Sequence, residues 1–154
     1  SLSIMPPTLS DNFDTDSDGW VGAVAGDYTN IALTDGDVWT IAGTPGNYSA
    51  LQCKFTVDVN PEAITSVGVT LNGSAESNGD VLQMWAWNFN TSSWRQIGSN
   101  CSMITDIASY SAWTVWGKVY ADYIDDDGYM YILADLNNAN QALNVDYIEL
   151  KVAW

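Results

Sequence analysis

The sequence predicts an all-β fold, a sandwich or barrel of antiparallel strands, on three observations. Residues that suit a pleated, half-buried surface (Val, Ile, Thr, Tyr and Trp) are plentiful, while Lys, Arg, Glu and Gln are scarce. Of the 19 acidic residues 16 are Asp, many beside Gly, Asn or Ser, which is turn chemistry more than a helix-face charge pattern. Short apolar or alternating runs also follow one another between turn signals, at the spacing of a sandwich or barrel. The 154 residues suit one domain with a core of its own.

Taken in order, Ser1–Leu9 alternates Leu2 and Ile4 with Ser before Pro6 and Pro7 stop regular pairing. Residues 1–9 are expected as a linker or as a strand donated to a neighbouring subunit, and residues 10–154 as the sandwich. Asp11–Trp20 (DNFDTDSDGW) sets Asp14, Asp16, Asp18 and Gly19 like the opening of an EF-hand loop. The twelfth position would be Ala25, where a bidentate Glu is required, so an EF-hand is rejected. Either a solvated acidic turn or part of a calcium site completed from elsewhere in the fold fits what remains.

Strands are expected at Trp20–Val24, Thr29–Leu33, Val38–Ala42, Ala50–Val59, Ile64–Asn72, Val81–Phe89, Trp94–Ser99, Trp113–Tyr123, Tyr129–Leu136 and Val145–Val152. The breaks between them carry Asp35-Gly36-Asp37, Pro45-Gly46-Asn47, Asn60-Pro61, Asn78-Gly79-Asp80 and Asp125-Asp126-Asp127-Gly128. Pro45 and Pro61 fall at breaks, where a missing N–H costs no ladder bond.

Val81–Ile97 is the most informative stretch. Strand alternation puts Leu82, Met84 and Ala86 on one face, and Gln83, Trp85, Trp87 and Phe89 on the other. A turn at Asn90–Ser93 returns the chain through Trp94 and Ile97. Later strands repeat the pattern. Trp116, Lys118, Tyr120 and Asp122 oppose Val115, Val119 and Ala121, and Tyr129, Tyr131 and Asp135 oppose Met130, Ile132, Ala134 and Leu136. Tyr147, Glu149 and Lys151 oppose Ile148, Leu150 and Val152. One sheet face is commonly wet, but wet faces usually carry Thr, Ser and charge rather than Trp.

Composition excludes several functions. A net charge of −15, with only 4 basic residues, removes the cationic patch that nucleic acids or anionic membranes require. With no His there is no triad and no Cys–His pair, and no glycine-rich phosphate loop is present. Glycoside hydrolysis needs only two carboxylates, but Glu62, Glu76 and Glu149 sit in no catalytic motif, so no enzyme is expected. No apolar run reaches bilayer length.

Glycan binding suits the aromatic faces. Pyranose C–H faces stack on Trp and Tyr, while neighbouring Asp, Gln and Lys bond hydroxyls. Trp85, Trp87, Trp116, Tyr120, Tyr129 and Tyr131 are the expected platform, with Gln83, Lys118, Asp122 and Asp135 as polar contacts. The same aromatics could instead pack against a second sheet. Cys53 and Cys101 are an even pair: a bridge would contribute roughly 4 kcal/mol, and two free thiols are the alternative. Sequons at Asn47, Asn72, Asn90 and Asn100, and a start at Ser1, fit an exported, processed protein or an excised module.

Asp11-Asn12-Phe13-Asp14 leads through Gly19 to Trp20, and the chain closes on Val145-Asp146-Tyr147-Ile148-Glu149-Leu150. With these ends and its middle strands the chain resembles the β-jelly-roll carbohydrate-binding modules of the galactose-binding-like type. The resemblance implies a two-sheet antiparallel sandwich of jelly-roll type. It also implies a structural calcium shared by Asp14 and Asp146, with Asp11, Asp16 and Asp18 as helpers. The function it implies is a secreted, non-catalytic module binding polysaccharide. The competing expectation is a self-assembling subunit of an extracellular filament or surface layer, using strand donation and aromatic contacts.

Overall fold

The computed structural model describes residues 1–5, 20–21, 31, 33–42, 46 and 48–154. Eleven strands are described: β1 (Leu2–Met5), β2 (Trp20–Val21), β3 (Trp39–Ile41), β4 (Tyr48–Thr56), β5 (Ser66–Ala75), β6 (Val81–Asn88), β7 (Ser93–Gln96), β8 (Cys101–Ser102), β9 (Ala108–Thr114), β10 (Tyr129–Leu136) and β11 (Leu143–Ala153). They form two sheets. The first runs β1-β11-β5-β9, with β3 also on β11; the second runs β2-β4-β10-β6-β7, with β8 also on β6. All pairings are antiparallel except β2 with β4. This is the two-sheet jelly-roll sandwich the sequence predicts.

The alternation read from sequence decides which faces meet. Val67, Val69, Leu71, Ile148, Leu150 and Val152 of the first sheet bury against Leu51, Phe55, Leu82, Met84, Ile132 and Leu136 of the second. Facing sheets lie about 10 Å apart, so these side chains fill the space between them. Each contributes about 1.5–3 kcal/mol relative to exposure, enough to fix the register, because a one-residue slip would turn the whole set outward.

Along β11 the inward set changes parity, from Leu143 and Val145 to Ile148, Leu150 and Val152. A β-bulge between Val145 and Tyr147 absorbs the extra residue, and Asp146 sits in it, 2 % exposed. Its Oδ1 accepts from Asp35 N (3.3 Å) and Gly36 N (2.7 Å), which pins the turn before β3.

Several sequence expectations are corrected. Trp113–Tyr123 is not one strand: β9 ends at Thr114, Gly117 turns the chain at φ 76°, and Tyr120–Tyr123 forms a 3₁₀ turn. The expected faces are also exchanged there: Val115 and Ala121 are exposed, while Tyr120 and Tyr123 bury against the open end of the core, because a turn does not keep a strand's period of two. Leu2–Met5 is a strand, and it pairs with Leu150–Ala153 of the same chain. The expected strand Thr29–Leu33 lies largely outside the described residues.

Cys53 and Cys101 are free thiols. They stand on β4 and β8, with β10 and β6 between them in one sheet. Three strand spacings, about 14 Å, exceed the roughly 7 Å that a bridge can span. Burial pushes the Cys53 thiol far above its ordinary range.

Candidate functional site

Because Leu82, Met84, Ala86, Met130, Ile132 and Ala134 face the core, the alternate residues of β6 and β10 face outward. Register then sets them in rows across the second sheet. Gln52, Leu133, Trp85 and Gln96 form one row through β4, β10, β6 and β7. In the next, Lys54 lies opposite Tyr131 and Trp87 opposite Trp94; Thr56 opposite Tyr129 continues the strip, while Asp135 opposite Gln83 closes its other end.

The ring geometry is interlocked. Trp87 and Trp94 meet edge to face with centroids 5.1 Å apart, and Phe89 meets Tyr131 likewise at 5.8 Å. The Lys54 ammonium stands 4.4 Å from the Tyr129 centroid and 5.7 Å from that of Tyr131. Such contacts hold the rings without side-chain freedom, so little entropy remains to be lost on binding. Tyr129, Tyr131, Trp85, Trp87 and Trp94 are half-buried, each keeping part of its surface open, and Phe89 is exposed.

Polar groups border the strip. Trp85 Nε1–H donates to Asp135 Oδ1 at 2.6 Å, which fixes the indole. Asp135 is 2 % exposed, and burial pushes its carboxyl from 3.8 up to about 7, against a smaller lowering effect of the Trp85 bond. Gln83 and Gln96 both donate through Nε2 to Asn100 Oδ1, at 3.1 and 2.6 Å.

Six of the predicted contact residues are therefore brought together: Gln83, Trp85, Trp87, Tyr129, Tyr131 and Asp135. Four are not. Tyr120 is 1 % exposed, its hydroxyl accepting from Trp116 N and donating toward Thr65 O and Thr114 O. Trp116 packs on Tyr120 and Tyr123 and under the Arg95 guanidinium, 4.3 Å away, on the core side of β7. Lys118 and Asp122 belong to the same turn, where the Asp122 carbonyl accepts from Phe89 N. This group closes one end of the core.

The residues missed were Trp94, Lys54, Gln52, Gln96 and Asn100. Trp94 could have been found by carrying the hairpin register across the turn, since Trp87 and Trp94 pair. Lys54 lies in the alternation Gln52-Lys54-Thr56 against Leu51-Cys53-Phe55, which is as regular as that of β6.

Of the expected calcium ligands, Asp11, Asp14, Asp16 and Asp18 lie outside the described residues. Asp146 commits one oxygen to the Asp35 and Gly36 N–H groups. Among the described residues no three Asp, Glu, His or Cys side chains cluster as a metal site would.

Residues 40–147 match the sequence family described as the N-terminal glycosyl-hydrolase-114-associated domain. Among solved structures the chain is similar to a family 36 carbohydrate-binding module of a multidomain xylanase from the hindgut metagenome of Trinervitermes trinervoides. That pair is 12 % identical with a TM-score of 0.51, over 100 % of this chain and 98 % of the other. It is also similar to a family 29 carbohydrate-binding module from Piromyces equi, 14 % identical with a TM-score of 0.50, over 99 % and 91 %. A family 29 module variant complexed with cellulohexaose is 9 % identical with a TM-score of 0.51, over 98 % and 90 %. At these identities the likeness is one of fold. No curated protein matches the sequence.

Proposed function

Since the chain belongs to the family of N-terminal glycosyl-hydrolase-114-associated domains, we propose that it is a non-catalytic module that holds polysaccharide for a glycoside hydrolase. Its binding face is the outer side of β4, β10, β6 and β7. The observation that carries this reading is the outward row of Lys54, Tyr131, Trp87 and Trp94, braced by Tyr129, Phe89 and Trp85. Open rings of this kind match the C–H faces of successive pyranoses, and Gln83, Gln96 and Lys54 supply bonds to their hydroxyls. The two carbohydrate-binding modules of families 36 and 29 that share the fold support the same reading. A charge of −15 disfavours uronate-rich or sulfated chains, so the ligand is neutral or cationic. We further propose that it acts outside the cell, a reading that its four N-x-S sequons support.

Affinity electrophoresis through gels containing neutral, amino-sugar and uronate polysaccharides tests the reading. Retardation by a neutral or cationic glycan is expected, with Trp87→Ala and Trp94→Ala each weakening it about tenfold or more. Retention by none of them, or retention unchanged in both variants, would remove this face from the account.

We also propose a structural calcium held by Asp14 and the second carboxylate oxygen of Asp146. A buried carboxylate in a chain this acidic supports it. Chelation should then lower the melting temperature, and an unchanged melt would dismiss the ion.

A further inference from the structure

The opposite side of the sandwich carries an exposed aromatic, Trp113, that the first face does not explain. Trp113, the residue before the end of β9, stands on the outer side of the first sheet and is 44 % exposed. Its cross-strand partner is Gly68, which in turn pairs with Lys151. A Cβ built on Gly68 would lie 2.5, 2.6 and 2.7 Å from Trp113 Cδ2, Cε2 and Cε3. Near-equal distances to three atoms of the six-membered ring place that point over the ring's face rather than at its edge. The indole therefore turns one face to Gly68, seated where only glycine leaves room, and 44 % of the residue stays exposed for a ligand.

Hydrogen-bonding groups flank that ring on the same face. Thr70 lies opposite Ser111 on one side and Glu149 on the other, with the two hydroxyls bonded at 2.8 Å. Glu149 Oε1 lies 3.1 Å from Lys151 Nζ, and its Oε2 accepts from Tyr147 OH at 2.7 Å, so the charged pair is held in place. Neighbouring strands are about 5 Å apart, which sets the Lys151 row within one pyranose width of a ligand stacked on the indole.

We propose that Trp113, seated on Gly68 with Lys151 and Glu149 beside it, is a second carbohydrate site, stacking one pyranose of a polysaccharide on the sheet opposite the first face. A flat open ring beside a fixed cation and carboxylate complements a sugar, whose apolar face is ringed by hydroxyls that both donate and accept. Two sites on opposite sheets cannot engage neighbouring units of one glycan segment. The module is therefore bivalent and ties two segments together, gaining retention by effective concentration.

Isothermal titration with hexamers of β-1,4-linked glucose, N-acetylglucosamine and glucosamine tests this on the full 154-residue chain. Two hexamers per chain are expected, falling to one in Trp113→Ala and to one in the Trp87→Ala/Trp94→Ala variant. Trp113→Phe should restore the second site in part. Gly68→Ala, which lifts the ring while keeping it, should weaken that site at least tenfold in protein that still melts cooperatively. One hexamer per chain, unaffected by Trp113→Ala, would overturn the second site and leave the first face standing. Loss in the Trp87→Ala/Trp94→Ala variant alone would say the same. No binding of any hexamer would overturn it too. Sedimentation showing that Trp113→Ala abolishes self-association, with no change in sugar binding, would reassign the ring to a contact between copies.

Discussion

Replacing Asp135 by Asn should change how stability depends on pH. In the unfolded chain the carboxyl ionises near 3.8, whereas burial holds the folded one protonated up to about 7. Between those values the folded state binds more protons than the unfolded state, so stability falls as pH rises from about 4 to 7 and stays reduced above that. About three pH units at 1.4 kcal/mol each put the penalty on the order of 4 kcal/mol. Asn cannot ionise, and its carbonyl can still accept from Trp85 Nε1–H. Its buried amide N–H₂ needs a new acceptor, at a cost of about 1–3 kcal/mol. The Asn variant should therefore be more stable than wild type by about 1–3 kcal/mol at pH 8.5, and less stable at pH 4. Urea unfolding at pH 4, 5.5, 7 and 8.5 measures the difference, in which the titrations common to both proteins cancel. A wild-type-minus-variant difference independent of pH would refute the argument.

Asp146→Ala should cost about 1–3 kcal/mol by urea unfolding, because the Asp35 and Gly36 N–H groups lose their acceptor. Trp116→Ala should cost about 3–5 kcal/mol yet leave glycan affinity unchanged, since the ring packs on Tyr120, Tyr123 and Arg95; weakened binding would return it to the platform. Thiol titration after unfolding should find two groups without prior reduction, and a melting temperature that drops on reduction would contradict the free cysteines.

Much of this molecule was legible before its coordinates. Tyr129–Leu136 is bounded in the structure as it was in the sequence. The division of β6 and β10 into an aliphatic and an aromatic face holds because a strand's period of two leaves no freedom once one face must be buried. What misled was Trp113–Tyr123, where an aromatic-aliphatic alternation continues through a turn. Periodicity reports only that residues alternate, not that a neighbour supplies the hydrogen bonds of a strand.

Sequence alone carried the fold class, the inward residues of β6, β10 and the end of β11, the charge that excludes anionic partners, and six of the residues on the outer strip. Those are properties of single residues or of neighbours one or two places apart. Tertiary structure decided everything that depends on which strands are adjacent. Strand order brings Lys54 onto Tyr129, Trp94 onto Trp87 and Asp135 under Trp85, and it keeps Cys53 from Cys101. It also lays Trp113 across Gly68, forty-five residues earlier in the chain. Side-chain chemistry is written locally, but a binding surface is made by pairings between distant strands, and no local pattern encodes those.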